Sequence, residues 1–150
     1  MDRNAWNSAA IRGVVALRVY VFHTDMVGVV YNSRYLDWFE IGRSELMRER
    51  GLSYAEVEGR GYSLPVTEAR FQVRRPARYD DLIQIETRIG AVRSRDVSFC
   101  YEIRCAGVLL AAGETSHCVV DQRTGRAVRV PDWMAESMGG EPTATVGKRE

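Results

Sequence analysis

Cysteine and histidine are scarce in this sequence, and the scarcity closes off several kinds of chemistry. The three cysteines, Cys100, Cys105 and Cys118, are an odd number without a C-x-x-C pair. Neither a disulfide framework nor a zinc site is suggested, and a reducing cytoplasm is the simplest setting. Two histidines leave little material for a histidine-rich metal centre. A net charge of +1 gives no general attraction to nucleic acid or to an anionic membrane. No uninterrupted run of about eighteen apolar residues occurs. The opening "MDRNAWNSAA" carries an acid and lacks an apolar stretch, so export and membrane insertion are not expected.

What remains is the balance of an ordinary globular chain, 45% hydrophobic and 27% charged. At 150 residues it suits one domain with one core. The run "GVVALRVYVF" from Gly13 to Phe22 is rich in β-branched and aromatic residues and predicts a strand. Over residues 33–50 the period changes. Tyr35, Trp38, Phe39, Gly42 and Leu46 recur at helical spacing, widened by Leu36 and Met47. Asn32 or Ser33 is suited to cap this helix and Gly51 to stop it. Gly42 costs about 1 kcal/mol against alanine in a helix interior, a cost that close approach of the helix to a sheet would offset.

Four runs then follow with period two, beginning near Thr67, Ile83, Val97 and Val108, separated by the turn-like "RPARYDD", "SRD" and Ala106-Gly107. One polar face in each predicts antiparallel strands covered on one side. Pro131 marks the start of a short terminal helix. The order, one strand, one long helix and four strands, predicts an α+β layer with the helix laid on the sheet.

One stretch asks for more than a fold. In "VFHTDMVGVVYNSRYLDWFE" an acid, Asp25, follows an apolar run, a glycine follows at 28, and a helix begins. A buried carboxylate without a partner costs several kcal/mol, so Asp25 is either solvated in a turn or placed for chemistry. With "RPARYDDLIQIET" and "CVVDQRTGRAVRVP", this stretch resembles the hot-dog-fold acyl-CoA thioesterases, specifically the 4-hydroxybenzoyl-CoA thioesterase type and its bacterial relatives of the Tol–Pal gene neighbourhood. The resemblance runs from about Val15 to Trp133.

The resemblance implies a single hot-dog domain, a long central helix wrapped by a curved antiparallel sheet, at residues 13–138. Residues 1–12 would be an N-terminal extension and 139–150 a disordered tail. It further implies a homodimer or homotetramer with active sites at the dimer interface, acyl-CoA as substrate, and no cofactor beyond the coenzyme A that the substrate carries. Asp25 matches the catalytic carboxylate, which acts as nucleophile or as general base on water; the competing reading is a turn or capping aspartate. Asn32 matches the position whose backbone N–H stabilises the developing oxyanion, and is equally suited to be an N-cap. Gly28 would permit the tight turn and approach of the acyl group, or simply the turn.

His23 stands where relatives have an acid; two residues from Asp25 on an extended segment, it would share that residue's side at the pocket rim. Met26 and Tyr31 would line the pocket, whereas Trp38 is read as core. Arg93 and Arg95 match a basic cluster that holds coenzyme A phosphates, for which guanidinium is well shaped; a solvated hairpin is the alternative. Arg74 and Arg75 are weaker candidates. Cys118 cannot pair directly with His117 as a nucleophile and base, because adjacent strand residues face opposite ways. A thioesterase for carrier-protein-bound acyl groups and a non-catalytic acyl-thioester-binding protein are the alternatives in function.

Overall fold

The computed structural model describes residues 11–25 and 27–140; Met26, and most of the expected extension and tail, lie outside them. The first strand, β1, covers Arg12–Arg18 and is followed by a single 3-10 turn at Val21–His23. The long helix α1 covers Asn32–Glu49, and a short helix α2, Tyr54–Gly59, comes next. Six strands and a last helix complete the chain: β2 Tyr62–Ser63, β3 Val66–Val73, β4 Leu82–Val92, β5 Asp96–Cys105, β6 Val108–Asp121, β7 Arg126–Val128 and α3 Asp132–Ser137.

All pairings are antiparallel, in the order β1-β4-β5-β6-β3, and the last residues of β6 pair with β2 and β7. The register puts Val15 opposite Ile85, Ile85 opposite Ile103 and Thr87 opposite Tyr101. Alternate residues of β4 and β5 therefore form one apolar face, and α1 lies on it through buried Tyr35, Trp38, Phe39, Gly42, Leu46 and Met47. Phe39 stacks on Tyr101 with ring centroids 4.3 Å apart. A Cβ at Gly42 would run into Thr87 Oγ1 and come within 2.8 Å of Ile85 Cγ2. The glycine thus sets how closely helix and sheet approach, as its position in the sequence suggested. Gly51, at φ 77°, ends α1 in the left-handed conformation.

Several local expectations are corrected. The first strand ends at Arg18, not Phe22, because the Tyr20 N–H donates to His23 Nδ1 at 2.9 Å and the chain turns. Leu36 is 39% exposed and does not widen the apolar stripe. The polar stretch after α1 contains α2, capped by Ser53, whose Oγ accepts from Glu56 N–H. On β5, Ser98 and Cys100 are buried as well as Val97, Phe99 and Tyr101, so the sheet centre is covered on both faces. β3 is an edge whose residues are exposed except for half-buried Phe71.

Candidate active site

After the 3-10 turn the chain makes a small hairpin. Thr24 bridges to Val30, the Asp25 N–H donates to Val29 O at 2.8 Å, and Tyr31 N–H donates to His23 O at 3.1 Å. Asp25 organises the turn itself, since its Oδ1 accepts from the N–H groups of Val27 at 2.8 Å and Val29 at 3.2 Å. Its second oxygen has no hydrogen bond among the described residues. Gly28 sits at φ 86°, with open space where a Cβ would stand. Within one chain the glycine is needed for its backbone angle rather than for close approach.

The hairpin delivers the chain straight into α1. The N-cap is Tyr31, in extended conformation and without a side-chain cap. Asn32 is therefore the first helical residue, a correction to its reading as a cap. A helix start leaves its first N–H groups unpaired, and those of Asn32 and Ser33 have no partner among the described residues. They form the positive end of an 18-residue helix. A carboxylate and a pair of N–H donors with capacity left among the described residues are thus carried by a single short segment.

His23 ends the 3-10 turn and does not lie on an extended segment, so the alternation that would align it with Asp25 does not apply. Its ring is buried 5.5 Å from Trp38 and 4.1 Å from Phe22. Burial first, and then the Arg34 charge, lower its pKa from the usual value, with Asp37 opposing. Tyr31 is exposed at the helix start, and Trp38 is core. Met26 lies outside the described residues.

The arginines separate into two groups. Arg93 pairs with Asp96 at 3.4 Å, and Arg95 donates to Ala127 O at 3.3 Å, both in the β4–β5 hairpin. That hairpin lies at the end of β4 opposite the end that pairs with Arg18, about 33 Å away by strand rise. Within one chain, Arg93 and Arg95 do not meet the Asp25 loop. The segment that does is "RPAR": Val29 bridges to Arg78, and Val30 N–H donates to Ala77 O at 3.0 Å. Arg74, Arg75 and Arg78 are exposed, and none of their guanidinium groups has a partner among the described residues. Sequence reading passed over Arg78, whose relation to Asp25 exists only through this bridge.

A second polar feature, also missed, lies deeper. Tyr101 and Thr115 hydroxyls are 2.6 Å apart, Thr115 Oγ1 is 2.8 Å from His117 Nε2, and His117 Nδ1 is 3.0 Å from Leu64 O. A carbonyl only accepts, so Nδ1 carries the proton and Nε2 accepts from Thr115. Tyr101 then donates to Thr115 and accepts from Arg43 Nη1 at 3.5 Å. Desolvation lowers His117 to about 4, keeping it neutral, and raises Tyr101. Two cavities of about 380 and 270 Å³ adjoin this chain of hydrogen bonds and share Glu40, Arg43 and Val66. Together they form a groove along α1 from Leu36 and Asp37 to Met47 and Tyr54.

Comparison with known proteins bears on the family and the fold. Residues 21–138 match the thioesterase-like superfamily. The acyl-CoA thioesterase YbgC of Haemophilus influenzae is 28% identical over 116 residues, 77% of this chain and 85% of that protein. The crystal structure of the hypothetical protein TT1821 from Thermus thermophilus superposes with a TM-score of 0.80 at 34% identity, covering 85% of this chain and 95% of that one. The DHNA-CoA thioesterase of Staphylococcus aureus shares the fold, with a TM-score of 0.80 at 24% identity over 92% of this chain and 94% of that one. A helix laid on an antiparallel sheet and a family match over residues 21–138, most of the chain, together establish that the protein belongs to the thioesterase-like superfamily.

Proposed function

We propose that this chain is an acyl-CoA thioesterase: acyl-CoA and water give a free acid and coenzyme A thiol, with Asp25 acting on the thioester and the helix start holding the carbonyl oxygen. The observation that carries this reading is the segment from Asp25 to Ser33, where, among the described residues, a carboxylate with one oxygen unengaged precedes two unpaired helix N–H groups by one hairpin. As nucleophile, Asp25 would form a mixed anhydride and release the thiolate, and water would then cleave the anhydride. As general base, it would take a proton from the attacking water. In either route the negative charge built on the carbonyl oxygen is met by the Asn32 N–H, with the macrodipole behind it. Water is the only co-reactant that the reaction requires.

The other groups find roles around that centre. Arg78, which bridges to the loop, and Arg75, three residues before it, have guanidinium groups without a partner among the described residues and would hold coenzyme A phosphates; Arg93 and Arg95 would serve the site only from another protomer. Phe22, Val27 and Tyr31 expose apolar surface around Asp25, with Val27 at 81%, and β3 offers an unpaired edge. A second copy of the chain covering both would complete the pocket as a homodimer. No helix among the described residues is long and apolar enough to cross a membrane.

The test is thiol release from a panel of short, medium, branched and aromatic acyl-CoAs, with Asp25→Asn as control. Asparagine keeps the oxygen that accepts from Val27 and Val29, so the variant removes charge and leaves the turn. The expected loss is about 10²- to 10⁴-fold in kcat. Full activity in the variant, or no release from any member by the unaltered protein, refutes the proposal.

A further inference from the structure

Arg43 is a mostly buried cation with few partners among the described residues. Its side chain is 15% exposed, and its partners are Tyr101 Oη at 3.5 Å and the Glu40 carboxylate at 3.9 Å. A guanidinium offers five N–H donors, and desolvating it without a matching acceptor is costly. Glu40 does not resolve the deficit, since its own side chain is 70% exposed and the pair is loose. The inner side is closed to anions: Tyr101, Thr115 and His117 form one directed series that ends on Leu64 O and is neutral throughout. The remaining donors of Arg43 border the cavity of about 380 Å³, whose other walls are mainly apolar, with Met47, Leu64, Pro65 and Phe99 among them. The groove leading to it begins one turn into α1 at Leu36 and Asp37, near the helix start where the carbonyl is held under the proposed function.

We infer that this cavity receives the far end of the acyl group and that Arg43 selects acyl groups bearing a carboxylate there. The inference rests on the thioesterase reading and narrows its substrate class. A groove of mixed lining that leads to a largely desolvated guanidinium discriminates by leaving the outward donors of that cation without an acceptor when a methyl-ended chain enters. One charge-assisted hydrogen bond made or missed corresponds to roughly ten- to hundred-fold in specificity.

The experiment compares kcat/KM within two matched pairs: hexanoyl-CoA against its ω-carboxy counterpart adipoyl-CoA, and benzoyl-CoA against a ring-carboxylated benzoyl-CoA. The unaltered protein should prefer the carboxylate-bearing member of at least one pair by about tenfold or more. Arg43→Met should collapse that ratio toward one, and Arg43→Lys, which keeps the charge without the planar fork, should retain part of it. Because the readout is a ratio within one preparation, a general loss of activity does not alter it. Preference for the unsubstituted member in both pairs, or a ratio unchanged in Arg43→Met, overturns the inference while leaving the thioesterase reading intact. No turnover of any of the four by the unaltered protein, when other acyl-CoAs are hydrolysed, also overturns it. Failure on every acyl-CoA sinks the thioesterase reading itself.

Discussion

Acidification should destabilise this protein through one identifiable residue, His117. The imidazole is buried with Nδ1–H donating to Leu64 O and Nε2 accepting from Thr115. Protonating Nε2 turns it into a second donor, so Thr115 must accept from it and its own hydrogen must reorient. Reversal of the whole series would turn the Tyr101 hydroxyl hydrogen toward Arg43, donor against donor, with a buried positive charge added nearby. Burial is the main cause of the lowered pKa, about 4 against 6.5 in an unfolded chain, with the Arg43 charge adding to it. The native state therefore binds fewer protons than the unfolded state between these values, and stability rises with pH across the window. The contribution is fully present above about pH 6.5 and is lost progressively as pH falls to about 4. It amounts to about 3 kcal/mol. Urea unfolding at fixed protein concentration, repeated from pH 7.5 to 4 for the unaltered protein and for His117→Gln, isolates this contribution. Every other group that binds protons is common to the two proteins and cancels in the difference. Glutamine lowers stability at pH 7, but the gap between the two proteins should shrink as pH falls. Parallel pH profiles would refute both the tautomer assignment and the directed series built on it.

Three other outcomes test separate parts of the account. Gly42→Ala should destabilise by about 1–2 kcal/mol in denaturant unfolding, because overpacking against Thr87 and Ile85 outweighs the helix propensity gained; stabilisation would show that helix and sheet have room to spare. Asp25→Ala should lower Tm by removing the acceptor for two turn N–H groups, at a cost of about 1 kcal/mol, whereas Asp25→Asn should leave Tm nearly unchanged while lowering kcat about 10²- to 10⁴-fold. Arg75→Gln with Arg78→Gln should raise KM about tenfold for acyl-CoA but not for an acyl-N-acetylcysteamine thioester, which has no phosphates. An equal effect on both substrates would assign the arginines to folding.

The architecture was legible because it depends on periodicities that local sequence expresses. Apolar residues at 3.6 spacing from Tyr35 to Leu46, and at spacing two through β4, β5 and β6, state which face each element buries. Gly42 and Gly51 were legible for the same reason, since each meets a local backbone or contact requirement. β3 was less so: its alternation is real, but an edge strand buries little, and only Phe71 turned inward. α2 was hidden because six residues are too few for a helical period to stand out from a polar stretch.

By itself, the sequence determined the element order, the helix with its buried stripe, and the segment in which an acid and a helix start lie close enough in the chain to act together. Those are short-range facts, set by spacing and backbone preference within some twenty residues. Only the tertiary structure decided what each candidate does. Asp25 both caps its turn and keeps an oxygen free, His23 faces inward to hold Tyr20, and Arg93 and Arg95 stand at the far end of β4. Arg78 beside the loop and the series from Arg43 to Leu64 join residues up to 74 positions apart in the chain. Strand register and the packing of α1 on the sheet bring such residues together, and register follows from burying one face of every strand at once, which no single segment encodes.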